Sequence, residues 1–170
     1  MKPIRPVQIV RLLLYSAALW SSAPAWCQSA ESAYHYRVPQ GWLAMRDGGV
    51  ETLTPPQTEP AGSAQLLLLA PKPARGELRQ QFEQERSALE GHWGLRAPQA
   101  LQPQGGQVGA LSWAAHFASY DSEGGQRYLG FLSLGDGQRF ALLVFAASSA
   151  DHFNRLVPQA IDVYRSLALR

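Results

Sequence analysis

Cysteine is all but missing from this chain. Cys27 is the only one in 170 residues, so no internal disulfide can hold the fold together. The familiar catalytic signatures are missing too: G-x-S-x-G, H-E-x-x-H, C-x-x-C and a Walker loop occur nowhere. Gly135-x-Gly137 begins like a dinucleotide fingerprint but leads into a strand pattern. It lacks the third glycine and the helix whose N-terminus would hold phosphate. Of the four histidines, His92 and His152 fall in helical patterns, and neither has a His, Cys or carboxylate at the i, i+4 spacing of a helical metal site. No metal, cofactor or catalytic residue is therefore expected. Long apolar runs are missing as well. Leu12–Trp20 is far shorter than the roughly 20 residues a membrane-spanning helix needs.

That short run has another reading. Lys2, Arg5 and Arg11 precede or open it, and Ala23-Pro-Ala25 follows with the small-x-small pattern of a secretory cleavage site. Residues 1–25 are thus expected to be a signal peptide, 26–33 a flexible lead and 34–170 one domain. Cleavage there leaves 145 residues, enough for one domain with a real core. The formal charge of +2 belongs partly to the leader: the remainder holds 12 basic against 13 acidic residues, a charge of −1. No basic patch is expected to survive in the mature domain, which argues against a nucleic-acid partner. A bacterial lipoprotein signal wants a small residue before its cysteine and a Leu-like residue three before it. Trp26 and Pro24 stand there instead, so Cys27 reads as an incidental thiol near a terminus rather than a lipid anchor.

The clearest organisation lies in Gln107–Ala147. Val108–Tyr120, Gln126–Leu134 and Arg139–Ala147 read as three strands, separated by Asp121–Gly125 and by Gly135-Asp-Gly137, both hairpin signals. Before them, Tyr34–Val38 has strand composition and stops at Pro39-Gln-Gly-Trp42, and Gly48–Leu53 is a weaker strand candidate. Thr54–Ser63 is a loop by composition, and Ala64–Ala70, closed by Pro71, reads as a buried strand. Leu78, Phe82, Leu89 and Trp93 recur at spacings of four and seven, which predicts a helix from Gly76 to about Gly91. Leu95–Gly106, with two prolines and Gly-Gly, reads as a second loop. The last helix is expected from about Ala150 to Leu167, capped by Ser148-Ser-Ala-Asp151, with Pro158 kinking or splitting it.

The last two meander strands are apolar at both sets of alternating positions: Leu132, Leu134, Phe140, Leu142 and Val144, and Leu129, Phe131, Ala141, Leu143 and Phe145. A sheet with one wet face would alternate apolar with polar residues. Two greasy faces need two covers, and the chain offers two amphipathic helices. The expected fold class is α+β, a three-layer α/β/α sandwich with a mainly antiparallel central sheet and one long helix on each face.

Candidate site residues are few. Glu83, Glu85 and Glu90 form the densest acidic group, but Arg79 and Arg86 interleave with them, so the group reads as ion pairs on a solvated helix face. His116, in a strand between Ala115 and Phe117, is the histidine most open to a role, against the plainer reading of a satisfied or half-exposed side chain. Trp42, Trp93, Trp113, Tyr120 and Tyr128 read first as core, with Tyr34 and Tyr36 more exposed than Trp113. Trp113, His116 and Tyr128 are the candidate lining of a small-ligand pocket between sheet and helix.

The order of elements carries a family resemblance. Val38-Pro-x-Gly-Trp42 ending a first strand, a second strand, a leucine-rich strand, a helix, a meander and a final helix closing in Tyr164-Arg-Ser-Leu167 together resemble the PsbP/Mog-like fold. The nearest branch is the bacterial, periplasmic DcrB-like one. The resemblance spans about Tyr34 to Leu169 and implies an α/β/α sandwich with non-enzymatic binding, assembly or accessory roles. The expected protein is exported, with the periplasm as its first address and secretion as the second. It binds a protein partner in an accessory, assembly, or toxin-immunity or chaperone role; a small-ligand or lipid carrier is the alternative. The expected contact surfaces are the Thr54–Ser63 and Leu95–Gly106 loops or a sheet edge, and the missing lipobox argues against membrane association.

Overall fold

The computed structural model describes residues 33–56, 63–96, 104–108, 110–122 and 125–169. The expected leader, Cys27 and the middles of both long loops lie outside the described residues. The chain runs β1 (Tyr34–His35), β2 (Leu43–Asp47), β3 (Val50–Thr54), β4 (Ala64–Leu68), β5 (Lys72–Pro73), α1 (Leu78–Trp93), β6 (Gln104–Val108), β7 (Leu111–Ser122), β8 (Gly125–Gly135), β9 (Arg139–Ala147), α2 (Ala150–Arg165) and β10 (Ala168–Leu169).

One antiparallel sheet carries the domain, in the order β2-β3-β4-β9-β8-β7-β6, with β5 continuing beside β9 where β4 ends. The meander β7-β8-β9 forms as its turns predict. Asp136 shapes the second turn: its carboxylate accepts from the Gln138 and Arg139 backbone N–H groups at 2.9 and 2.7 Å. The leucine-rich strand β4 lies against β9, so the chain leaves the middle of the sheet through β5 and α1 and returns at the far edge as β6. β1 and β10 pair separately and tie the two ends of the domain together.

Residues opposite one another in an antiparallel pair point to the same face. Phe145, Leu143 and Ala141 of β9 therefore share a face with Leu132, Leu134, Leu66 and Leu68, and this face packs on Leu156, Ala160 and Val163 of α2. Val144, Leu142 and Phe140 face the other way with Phe131, Leu129 and Leu67, under Phe82 of α1. The three-layer sandwich stands, with the meander as its filling.

Several local expectations are corrected. α1 runs past Gly91 to Gly94, which holds the left-handed φ of 64° that ends the helix. Its N-cap, Glu77, makes no side-chain cap bond. The cap of α2 is Ser149, whose hydroxyl accepts from the His152 backbone N–H at 3.2 Å. Pro158 neither splits nor ends α2, which continues to Arg165; the proline sits on the exposed face, where the Asn154 carbonyl it leaves without a helical donor can meet water. Tyr34 is buried, its hydroxyl donating to the Leu69 carbonyl, whereas Trp113 is only half-buried.

Candidate interaction edge

The sheet has two edges, and they differ. β6 carries Gly105-Gly106 packed close on its neighbour: a Cβ at Gly106 would come within 3.1 Å of the Trp113 indole nitrogen. β2 is the other edge, and it begins at a firmly anchored point. Gly41, at φ +79°, turns the chain so that the Trp42 N–H reaches the Pro39 carbonyl at 3.1 Å. The Trp42 ring is buried, and its indole N–H donates to Gln159 of α2 at 2.6 Å. From that anchor β2 runs to Asp47, and Gly48 and Gly49, at φ 55° and 85°, form a two-residue turn into β3. Consecutive positive φ values are what such a hairpin turn demands, and glycine supplies them without steric cost. Arg46 and Glu51, opposite one another across the hairpin, form an ion pair that fastens β2 to β3.

All five residues of β2 are exposed. Among the described residues the large apolar side chains left in water are Val38 at 42 %, Leu43 at 53 % and Met45 at 68 % exposure. Leu43 and Met45 share a face with Thr52, Thr54 and Leu67, on the α1 side of the sheet. The two-residue turn makes Asp47–Val50 a hydrogen-bonded pair, so Met45–Thr52 and Leu43–Thr54 follow as hydrogen-bonded pairs by alternation. The N–H and C=O groups of Ala44 consequently point away from the sheet. This is a short open edge with apolar side chains beside it, the kind of template to which another strand can add.

A second cluster lies beneath α1. The Tyr120 hydroxyl donates to Glu90 at 2.7 Å, and Arg86 bridges Glu90 and Glu83, the latter at 2.6 Å. Of the expected ion pairs, Arg86 forms those with Glu83 and Glu90, whereas Glu85 pairs with Lys72, and Arg86 and Glu90 turn toward the sheet rather than onto a solvated face. His116 stands beside them, only 3 % exposed, with its ring 6.4 Å from that of Tyr120 and neither ring nitrogen hydrogen-bonded. It is neither satisfied nor half-exposed. Burial, and then the Arg86 charge, hold its pKa below the ordinary value. The same burial, reinforced by the bond to Glu90, raises that of Tyr120. No group of three or more potential metal ligands comes together among the described residues.

Trp113, His116 and Tyr128 do not meet. Trp113 and Tyr128 pack with the core under α2, whereas His116 faces α1 on the opposite side of the same strand layer. Sequence reasoning placed no strand at β2. The signal available was Gly48-Gly49 between two short runs, a recognised hairpin turn.

No protein-family model matches the chain, and no curated protein matches it in sequence. Solved structures do share its fold. Cyanobacterial PsbP from Synechocystis superimposes with a TM-score of 0.60 at 8 % identity, over 86 % of this chain and 98 % of that one. LpqN, involved in cell envelope biogenesis of Mycobacterium tuberculosis, gives 0.59 at 14 % identity over 80 % and 82 %. The yeast Ran-binding protein Mog1p gives 0.58 at 10 % identity over 81 % and 90 %. The fold is therefore PsbP/Mog1-like.

Proposed function

We propose that this is an exported, non-enzymatic accessory protein of the bacterial envelope, of the DcrB-like periplasmic kind, which binds a protein partner along the open edge of β2. The observation that carries the reading is that edge: outward main-chain groups at Ala44, with Leu43 and Met45 exposed beside it. Strand addition uses such features, the main chain for affinity and alternate side chains for selectivity. The basic–apolar–small order of residues 1–25 supports export. Among its fold neighbours, one is named for binding Ran and another for cell envelope biogenesis, which is consistent with a partner-binding role.

The test is affinity capture of the exported protein from periplasmic extract, wild type against Ala44→Pro. Proline at Ala44 removes an N–H that points away from β3, so it blocks strand addition while sparing the β2–β3 ladder. We expect wild type to retain a stoichiometric partner and Ala44→Pro to lose it. Equal retention by both would move the contact elsewhere, and no stoichiometric partner with wild type would sink the reading.

A further inference from the structure

We propose that the seam between α1 and the sheet is a buried water-binding site, in which a pair of ordered waters joins the His116 ring nitrogens to Arg86 Nε and Glu83 Oε1. The site is independent of the β2 edge and of any partner bound there.

Six buried side-chain polar atoms among the described residues make no hydrogen bond, and four of them fall in this one seam. They are both ring nitrogens of His116, Nε of Arg86 and Oε1 of Glu83. Buried polar atoms in folded proteins are nearly always paired, either with protein or with ordered water. The neighbouring groups are already engaged. Arg86 gives Nη1 to Glu90 and Nη2 to Glu83 Oε2, and the Tyr120 hydroxyl donates to Glu90 Oε1. The charges of Arg86, Glu90 and Glu83 all act on His116, so the four atoms face a common space.

The four atoms also balance. Arg86 Nε–H is a donor and Glu83 Oε1 an acceptor, while a neutral imidazole presents one nitrogen of each kind. One water accepts from Arg86 Nε and donates to the bare ring nitrogen. The other accepts from the ring N–H and donates to Glu83 Oε1. All four are then satisfied, and the nitrogen on the Arg86 side must be the one without a proton. Ions suit the seam less well. A metal ion would find no group of three or more ligands among the described residues, and an anion would meet two carboxylates.

Room for water comes from the strand itself. Residues 114, 116, 118 and 120 of β7 share the α1 face. Those on either side of His116 are alanines, Ala114 and Ala118, and Ser133 stands opposite Ala114. Small side chains beside a polar ring leave the space a water needs, and the seam supplies it with polar partners.

A crystal structure of the exported protein that resolves ordered solvent should place water roughly 2.7–3.2 Å from each His116 nitrogen. One water should reach Arg86 Nε and the other Glu83 Oε1. A direct protein bond or a purely apolar contact at either nitrogen overturns the inference. In solution at about pH 7.5, where the ring is neutral, its nitrogen-15 signals should report one tautomer, and a mixture of the two overturns it as well. His116→Gln keeps a donor and an acceptor, whereas His116→Leu keeps neither. We expect the Tm of His116→Leu to fall below that of His116→Gln at this pH. A dry seam would favour leucine, so a His116→Leu protein as stable as His116→Gln, or more so, overturns the site. Should either variant fail to fold, the two measurements on wild type decide.

Discussion

His116 is buried with both of its ring nitrogens unbonded. Glu83, Arg86 and Glu90 face it from α1 and Tyr120 lies further along its own strand, yet neither ring nitrogen is bonded. Burial and then the Arg86 charge resist its protonation more than the two carboxylates favour it, so the folded-state pKa lies below 6.5. The unfolded chain then binds the proton more readily than the folded one. Above about pH 6.5 both states are neutral at this position and the group costs nothing. As pH falls through 6.5 toward the lowered value, stability is lost. The expected outcome is a wild-type Tm that drops between pH 7 and pH 5 more than that of His116→Gln, which has no proton to take up there. Each variant is compared with itself, so any loss of packing at pH 7 cancels. Parallel curves for the two proteins would assign the slope to other groups.

At the scale of the elements, the contact between β8 and β7 depends on an absent side chain. A Cβ at Gly130 would lie 2.6 Å from the Phe117 ring, and that ring packs edge-on against Phe153 of α2, with centroids 6.2 Å apart. Phe117 cannot yield without disturbing the helix. Gly130→Ala should destabilise the domain by about 1–3 kcal/mol, the cost of forcing extra volume into a packed layer. Phe117→Leu in the same chain should recover part of it. Chemical denaturation of both measures the difference, and an unchanged midpoint in Gly130→Ala would show that the layer has slack.

The elements readable in advance are those whose periodicity reflects burial. β8 and β9 are apolar at every other position on both faces because both faces are covered, and α1 and α2 show their stripes because each covers one. β2 and β6 have no such record. Both are edge strands held by main-chain bonds to one neighbour, and their exposed residues follow no burial period. Alternation also separates the residues of the candidate pocket. Trp113 and His116 are three apart in one strand, so they point to opposite faces whatever the register. What alternation cannot supply is the cover on each side. That His116 meets Arg86 and Glu90 follows from the route of α1, which no local pattern contains.

For the molecule as a whole, the shared sheet couples the two cores. Leu143 and Phe145 serve the α2 face, Leu142 and Val144 serve the α1 face, and all four belong to β9 at the centre of the sheet. Among the described residues each helix packs on one face of this sheet, so loss of one cover weakens the strand that supports the other. The domain should therefore unfold as one unit, as single domains of this size usually do. Trp42 sits in the core beneath α2 and Trp93 packs against the core beneath α1, which gives each layer its own fluorophore. With the other tryptophans replaced by Phe, urea unfolding followed at Trp42 alone and at Trp93 alone should give coincident midpoints and slopes. Leu156→Ala in α2 should lower both midpoints together, by an amount corresponding to roughly 2–5 kcal/mol for a buried leucine. Separate transitions, with Leu156→Ala moving only the Trp42 signal, would show that β9 insulates the layers rather than joining them.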